Sequence, residues 1–268
     1  MRSSPPSLLP SAFGDRTRVT LSTGHEIDLP LELDFAMGGV TVPARRSRLE
    51  ALLPDGLSAL AVAPGLSCAT FVGIRYHRVG GRVDDPEDNV ALEPYDEFAV
   101  IVPAVRNGRT DVPIAQLAGG EIGGYVHWLP VTTDASVALG REIWGYPKER
   151  AAIEIDDGPK GFRCVVADDR DDGRGRERVR LAVAPPRTRV GTDRRERTLW
   201  CYTTRDGDLL RTRAELWGEI AIGTPIGATL EVEPELRAEL GCWPRPIARL
   251  SGPRVRARLH PGEPVGDA

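Results

Sequence analysis

The sequence predicts a β-rich α+β fold, a single closed antiparallel β barrel or cone with a few short helices. Three observations carry this reading. Nine short segments rich in Val, Ile, Thr and aromatic residues are bounded by Gly, Pro, Asp and Asn clusters. Only two stretches show a helical pattern. No internal repeat and no long linker divides the chain, so residues 1–268 read as one domain, with flexible tails at 1–15 and 261–268.

In chain order, 44–53 reads as a short helix stopped by Pro54, and 58–62, 69–76, 97–105 and 125–131 read as strands. The clearest helix is 134–144. Thr133 or Asp134 caps its start, Val137, Leu139 and Ile143 form its apolar side, and Gly145 caps its end. Pro147 forbids continuation. Lys148 therefore follows directly on a helix stop and opens the next strand, 150–155, a junction with little backbone slack. Strands at 162–166 and 177–183 flank a segment, 168–180, packed with Asp and Arg around Asp172-Gly173, which reads as an exposed hairpin tip. The charged run 193–197 reads in the same way, ahead of strands at 198–203, 227–232 and within 246–260.

The net charge of -4 excludes a broadly basic nucleic-acid binder. No apolar run approaches a membrane span, and Met1-Arg2-Ser3-Ser4-Pro5-Pro6 lacks the apolar core of a signal peptide, so a cytoplasmic protein is expected. Cys68, Cys164, Cys201 and Cys242 lie far apart and read as buried thiols. His25, His77, His127 and His260 form no zinc spacing, and the Gly-Gly pairs make no phosphate-cradling loop. No metal and no cofactor is expected.

One compositional fact points to chemistry. Of the 35 Lys and Arg residues, only Lys148 and Lys160 are lysines. Guanidinium stays protonated and is a poor nucleophile, whereas a desolvated lysine can lose its proton and attack a carbonyl. A lysine retained among so many arginines is thus a candidate for work that arginine cannot do. Lys160, in Asp156-Asp157-Gly158-Pro159-Lys160-Gly161, reads as an exposed turn; Lys148 does not.

The run Gly140-Arg141-Glu142-Ile143-Trp144-Gly145-Tyr146-Pro147-Lys148 resembles the Schiff-base lysine motif of the acetoacetate decarboxylase superfamily. The likeness extends back through Gly124-Tyr125-Val126-His127, and Tyr95-Asp96-Glu97-Phe98 with Ile101-Val102-Pro103 is similar to the segment carrying the family's active-site glutamate. Weaker likenesses run over 40–57 and 228–259. The resemblance implies catalytic roles for Lys148 and Glu97, and a substrate pocket that includes Tyr146, Trp144, Phe35 and Arg141. It also implies a small keto-acid substrate and a homo-oligomer. Plainer readings stand beside these. Lys148 can be a strand-end lysine reaching solvent, Glu97 a surface carboxylate, Trp144, Tyr146 and His127 core residues, and Arg141 with Glu142 a helix-end ion pair. Burial beside Trp144, Tyr146 and Pro147 is expected to lower the Lys148 pKa.

Three positions depart from the family pattern. Glu149 stands where typical decarboxylases have a second lysine; strand alternation is expected to turn it away from Lys148. Phe35 stands at the place of an arginine, for which Arg75, Arg78 and Arg141 are candidate substitutes, and Val72 at the place of a second glutamate. Three functions stay open: decarboxylation of a β-keto acid, Schiff-base aldol or dehydration chemistry on pyruvate-like 2-keto acids, and non-catalytic ligand binding in a retained pocket.

Overall fold

The computed structural model of the chain describes residues 17–81, 90–107, 116, 121–169, 175–185 and 197–265. In order, the elements are β1 (Thr17–Thr20), β2 (Glu26–Leu29), β3 (Leu31–Arg45), α1 (Arg46–Glu50), β4 (Leu57–Ala59), β5 (Leu66–Val79), β6 (Asp96–Arg106), β7 (Glu121–Val131) and α2 (Asp134–Trp144). They continue as β8 (Lys148–Asp156), β9 (Phe162–Asp168), β10 (Glu177–Val183), β11 (Arg197–Arg205), β12 (Asp208–Gly218), β13 (Ala221–Gly223), β14 (Ala228–Val232), α3 (Pro234–Leu240) and β15 (Ala248–Pro264).

Seven strands close into a barrel in the order β7-β11-β12-β15-β3-β5-β6, with β6 pairing back onto β7. Strand β7 forks. Its Gly124 and Tyr125 pair parallel with Cys201 and Tyr202 of β11, while Leu129, Pro130 and Val131 pair parallel with Lys148, Glu149 and Arg150 of β8. From β8 a second sheet, β8-β9-β10-β14, leaves the barrel and folds back over β3 and β5. Two cores result. Leu33, Phe35, Val72, Ala99, Leu129 and Val131 belong to the barrel interior, and Val40, Phe71, Phe98, Val100, Ile153 and Leu181 to the layer between the barrel wall and the outer sheet. Along β6 the alternation is explicit: Ala99 faces inward, while Phe98 and Val100 face the outer sheet.

The fold class expected from the sequence is the one found. Helix α2 has the expected bounds and caps: the Thr133 side chain accepts from the Ser136 N–H, and Gly145 closes the helix at φ 66°. The first helix is shorter than 44–53, because β3 runs through Arg45 before the chain turns. Strand β15 continues to Pro264, so chain expected to be a flexible tail from 261 is still paired: Pro264, Glu263 and Gly262 face Leu210, Arg211 and Thr212 of β12. The tail at 1–15 lies outside the described residues, as do 170–174 and 193–196 of the two charged loops. Around the first of these, β9 and β10 pair as a hairpin; Asp169, Arg176 and Arg180 are exposed and Asp168 and Arg178 half-buried. All four cysteines are free, three of them buried and Cys201 half-buried. Among the described residues no helix is long and apolar enough to cross a membrane.

Candidate active site

Two strands flank β7 and bring the two sequence blocks together. On one side Glu97 of β6 is opposite Val131; on the other Lys148 of β8 is opposite Leu129. Val131 and Leu129 are two residues apart on one face of β7, and both belong to the barrel interior. Glu97 and Lys148 therefore meet inside the barrel. The Lys148 Nζ lies 2.7 Å from Glu97 Oε2, a charge contact off the hydrogen-bonding direction, and both side chains are almost fully buried, at 4% and 6% exposed.

Two tyrosines complete the cluster. The Lys148 ammonium donates to the Tyr95 hydroxyl at 3.2 Å, and its nitrogen stands 5.1 Å from the centre of the Tyr95 ring. The Tyr76 hydroxyl donates to the other Glu97 oxygen, Oε1, at 3.2 Å. The two rings are 4.6 Å apart, and Phe35 packs on Tyr76 at 5.5 Å. Tyr95 belongs to the sequence block that also holds Glu97, but a tyrosine at a strand start is ordinarily core. Tyr76 carries no local signal in the sequence; only the pairing of β5 with β6 gives it a partner.

The lysine stem is held from behind by α2. A Cβ built on Gly140 would stand 2.4 Å from Lys148 Cδ, so the glycine of the motif is the groove in which the stem lies. Arg141, expected in the substrate pocket, is not there. Its side chain is exposed, and its Nε donates to the Lys148 carbonyl at 2.7 Å, so it fixes the lysine's backbone instead. Trp144 donates its indole N–H to the His260 carbonyl at 2.7 Å and stacks on Tyr146 at 5.7 Å. Burial, with Cys201 and then Glu97 adding to it, pushes the Tyr146 hydroxyl pKa upward. Phe35 and Val72 are both buried in the barrel interior.

Glu149 points the other way, as alternation requires. It accepts from the Trp128 indole at 2.5 Å and faces Arg178 at 3.5 Å, on the side of the outer sheet. The two remaining candidate arginines also face outward. Arg75 is bidentate to Asp96, at 3.1 and 3.2 Å, and pairs with Asp157. Arg78 lines an outer cavity of about 840 Å³ together with Asp34, Trp217, Arg254 and Arg256. Among the described residues the charged side chains that are nine-tenths or more buried are Glu97, Lys148, Glu215 and Glu233, and Glu233 pairs with Arg178 of the outer sheet. Glu215 turns to Arg213 and His260, at 2.8 and 2.9 Å, on the barrel's outside. Among the described residues, the barrel interior thus holds one cation and one anion. His127, expected in the core, is half-buried on the wall and pairs with Glu239 at 3.0 Å.

The electrostatics correct one expectation. Burial does work to lower the Lys148 pKa, but the charge of Glu97 and the contacts to Tyr95 outweigh it and push the value up to about 12. Lys148 is thus held as an ammonium in an ion pair with Glu97.

The profile of the acetoacetate decarboxylase (ADC) family matches residues 19–181 of this sequence. The chain belongs to the acetoacetate decarboxylase family. A curated relative, acetoacetate decarboxylase 3 of Mesorhizobium japonicum, is 32% identical over 68 residues, which is 25% of this chain and only 22% of that protein's length. Among solved structures, the acetoacetate decarboxylase of Legionella pneumophila has a TM-score of 0.59 at 17% identity, covering 99% of both chains. The enduracididine biosynthesis enzyme MppR, complexed with pyruvate, has a TM-score of 0.59 at 15% identity over 96% of this chain and 94% of its own. An acetoacetate decarboxylase-like enzyme from Sphingomonas wittichii RW1 reaches 0.58 at 18% identity, over 88% and 92%. These structures share the fold with this chain. The match of the family profile includes Glu97 and Lys148, and its position agrees with the resemblance read from the motifs.

Proposed function

We propose that the protein decarboxylates a small β-keto acid through an imine on Lys148. In this reading a carbonyl compound enters beside the ion pair, and Lys148 passes a proton over the 2.7 Å to Glu97. The N–H electron pair stays on nitrogen and attacks the carbonyl carbon. Glu97 returns the proton to the carbinolamine oxygen, which leaves as water and gives the protonated imine. That imine accepts the electron pair of the C–C bond as CO2 departs. The resulting enamine carbon takes a proton, drawn ultimately from solvent, and hydrolysis releases the ketone.

The observation that carries the decarboxylase reading is the absence of a buried arginine among the described residues of an otherwise apolar barrel. Among the described residues, the iminium is the only buried cation that a substrate carboxylate meets there, with Phe35 and Val72 in the same interior. Burying a carboxylate without a matched cation is costly, and loss of CO2 removes that charge. Chemistry on a pyruvate-like acid must keep the carboxylate throughout, and such a site is expected to hold it with a fork of donors. Acetoacetate decarboxylase is itself the standing example of a lysine activated by desolvation or by a neighbouring cation. Here the residue after the lysine is Glu149, so that place supplies no neighbouring cation, and the reading relies on burial together with proton transfer to Glu97.

The test is borohydride trapping and CO2 release with acetoacetate and pyruvate as probes. Lys148→Arg keeps the charge but cannot form an imine, so trapping and turnover should both vanish. Glu97→Gln should still trap while turnover falls by about 10²-fold or more. Lys160→Arg should match the parent. Circular dichroism confirms folding of each variant. Pyruvate trapping without any CO2 release would replace decarboxylation by aldol or dehydration chemistry, and turnover by Lys148→Arg near the parental rate would refute the imine altogether.

A further inference from the structure

The mechanism above leaves Tyr95 and Tyr76 unused, yet they make the only uncharged polar contacts that the described residues offer to the buried pair. We propose that Tyr95 is a positioning residue that keeps Lys148 masked as an ammonium until a carbonyl compound displaces the Tyr95 hydroxyl. The inference rests on the Schiff-base reading for its purpose, but not for its test.

The geometry is specific. Tyr95 meets the ammonium at its hydroxyl end, with the oxygen 3.2 Å and the ring centre 5.1 Å from Nζ, and this contact favours the charged over the neutral nitrogen. Tyr76 braces the arrangement from the far side of Glu97, donating to Oε1 while Lys148 lies against Oε2. Both phenols stay protonated, because burial pushes the Tyr95 pKa up to about 12 and the Tyr76 pKa well upward. They act as fixed dipoles and not as bases. The same two residues also line a cavity of about 290 Å³ bordered by His77, Pro94 and Thr132.

An ammonium cannot add to a carbonyl, so some event must convert the ion pair into amine and carboxylic acid. The conversion needs no outside reagent. One N–H bond of Lys148 breaks, one O–H bond forms on Glu97, and the pair stays neutral overall. Removing the Tyr95 hydroxyl from the nitrogen withdraws one stabiliser of the charged form, which favours the neutral pair.

The chain has only two lysines, so protein labelled with carbon-13 at the lysine ε position gives two signals, with Lys160 as the reference. Tyr95→Phe removes one oxygen and leaves the ring. Its Lys148 signal should titrate about one pH unit lower than the parent's, the scale of one hydrogen bond to a charged group. At mildly alkaline pH, formaldehyde and cyanoborohydride should methylate Lys148 roughly tenfold faster than in the parent, with Lys160 unchanged. Tyr76→Phe removes the same atom from the adjoining ring but supports Glu97, so it should not lower the Lys148 midpoint. An unchanged midpoint in Tyr95→Phe would overturn the proposal, and so would an equal drop in both variants, which marks loosened packing as the cause. If no keto acid traps on any variant while Tyr95→Phe still lowers the midpoint, the imine reading fails and this one stands.

Discussion

Gly140 shows how much of the site depends on a single missing atom. The stem of Lys148 lies where an alanine methyl would be, 2.4 to 2.8 Å from Cδ, Cε and Cγ. Gly140→Ala cannot be accommodated by swinging the flexible end of the lysine alone, because Cγ is already in the contact. The ammonium must leave Glu97, or α2 must shift. We expect a loss of about 1–3 kcal/mol in stability from overpacking, and a fall in borohydride trapping that is larger than this modest destabilisation explains. Chemical denaturation together with trapping separates the two effects; unimpaired trapping would show that the lysine has room to move. At this scale the sequence is legible where chemistry leaves a mark in composition or motif. Lys148 stands out because lysine is rare in this chain and because a helix stop and a proline precede it. Tyr76 and the direction of the Lys148 pKa are not legible, since both depend on which side chains the closed barrel brings within 3.2 Å.

Strand β8 sorts its first two residues to opposite sides, and that alternation decides what Glu149 can do. The barrel side receives Lys148 and the outer side receives Glu149, which meets Trp128 and Arg178. Restoring a lysine at this position, Glu149→Lys, is therefore expected to leave Lys148 trapping and its pH dependence unchanged, because the new charge lies across the strand. The cost should appear elsewhere. A second cation beside Arg178 and a lost acceptor for the Trp128 indole are expected to remove about 1 kcal/mol, moderated by the partial exposure of both charges. A clear rise in trapping at neutral pH would mean that the two faces communicate electrostatically after all. Element boundaries are readable where local chemistry enforces them, as at Thr133 and Gly145 around α2. Strand β3 is hidden in the sequence. Its Gly38-Gly39 pair and Pro43 look like turn signals, whereas in the fold they lie in a strand that pairs over its length with β5.

At the level of the molecule, Phe162 of the outer sheet packs directly on the barrel wall at Gly38 and Gly73, and β8, the strand that opens with Lys148, belongs to that sheet. The fold class can be read from short alternating segments, but the fork of β7 cannot. Its parallel pairings with β8 and β11 join strands that no local pattern marks as partners. The two glycines of the wall carry the reason for the close approach. A Cβ on Gly38 would stand 2.4 Å from the Phe162 ring, and one on Gly73 would stand 2.8 Å from it. Phe162→Ala empties this contact and should cost about 3–5 kcal/mol. Gly38→Ala attacks the same contact from the other side, and it meets Phe162 Cβ at 2.6 Å as well as the ring, so no rotamer relieves it and the sheet must lift. Each variant alone then forfeits most of the same packing. The double variant should be less destabilised than the sum of the two by about 1–3 kcal/mol, the range for residues in direct contact. Urea denaturation of the four proteins measures that coupling. Strict additivity would show that Phe162 and Gly38 act independently, and that the outer sheet is fixed to the barrel by something other than this contact.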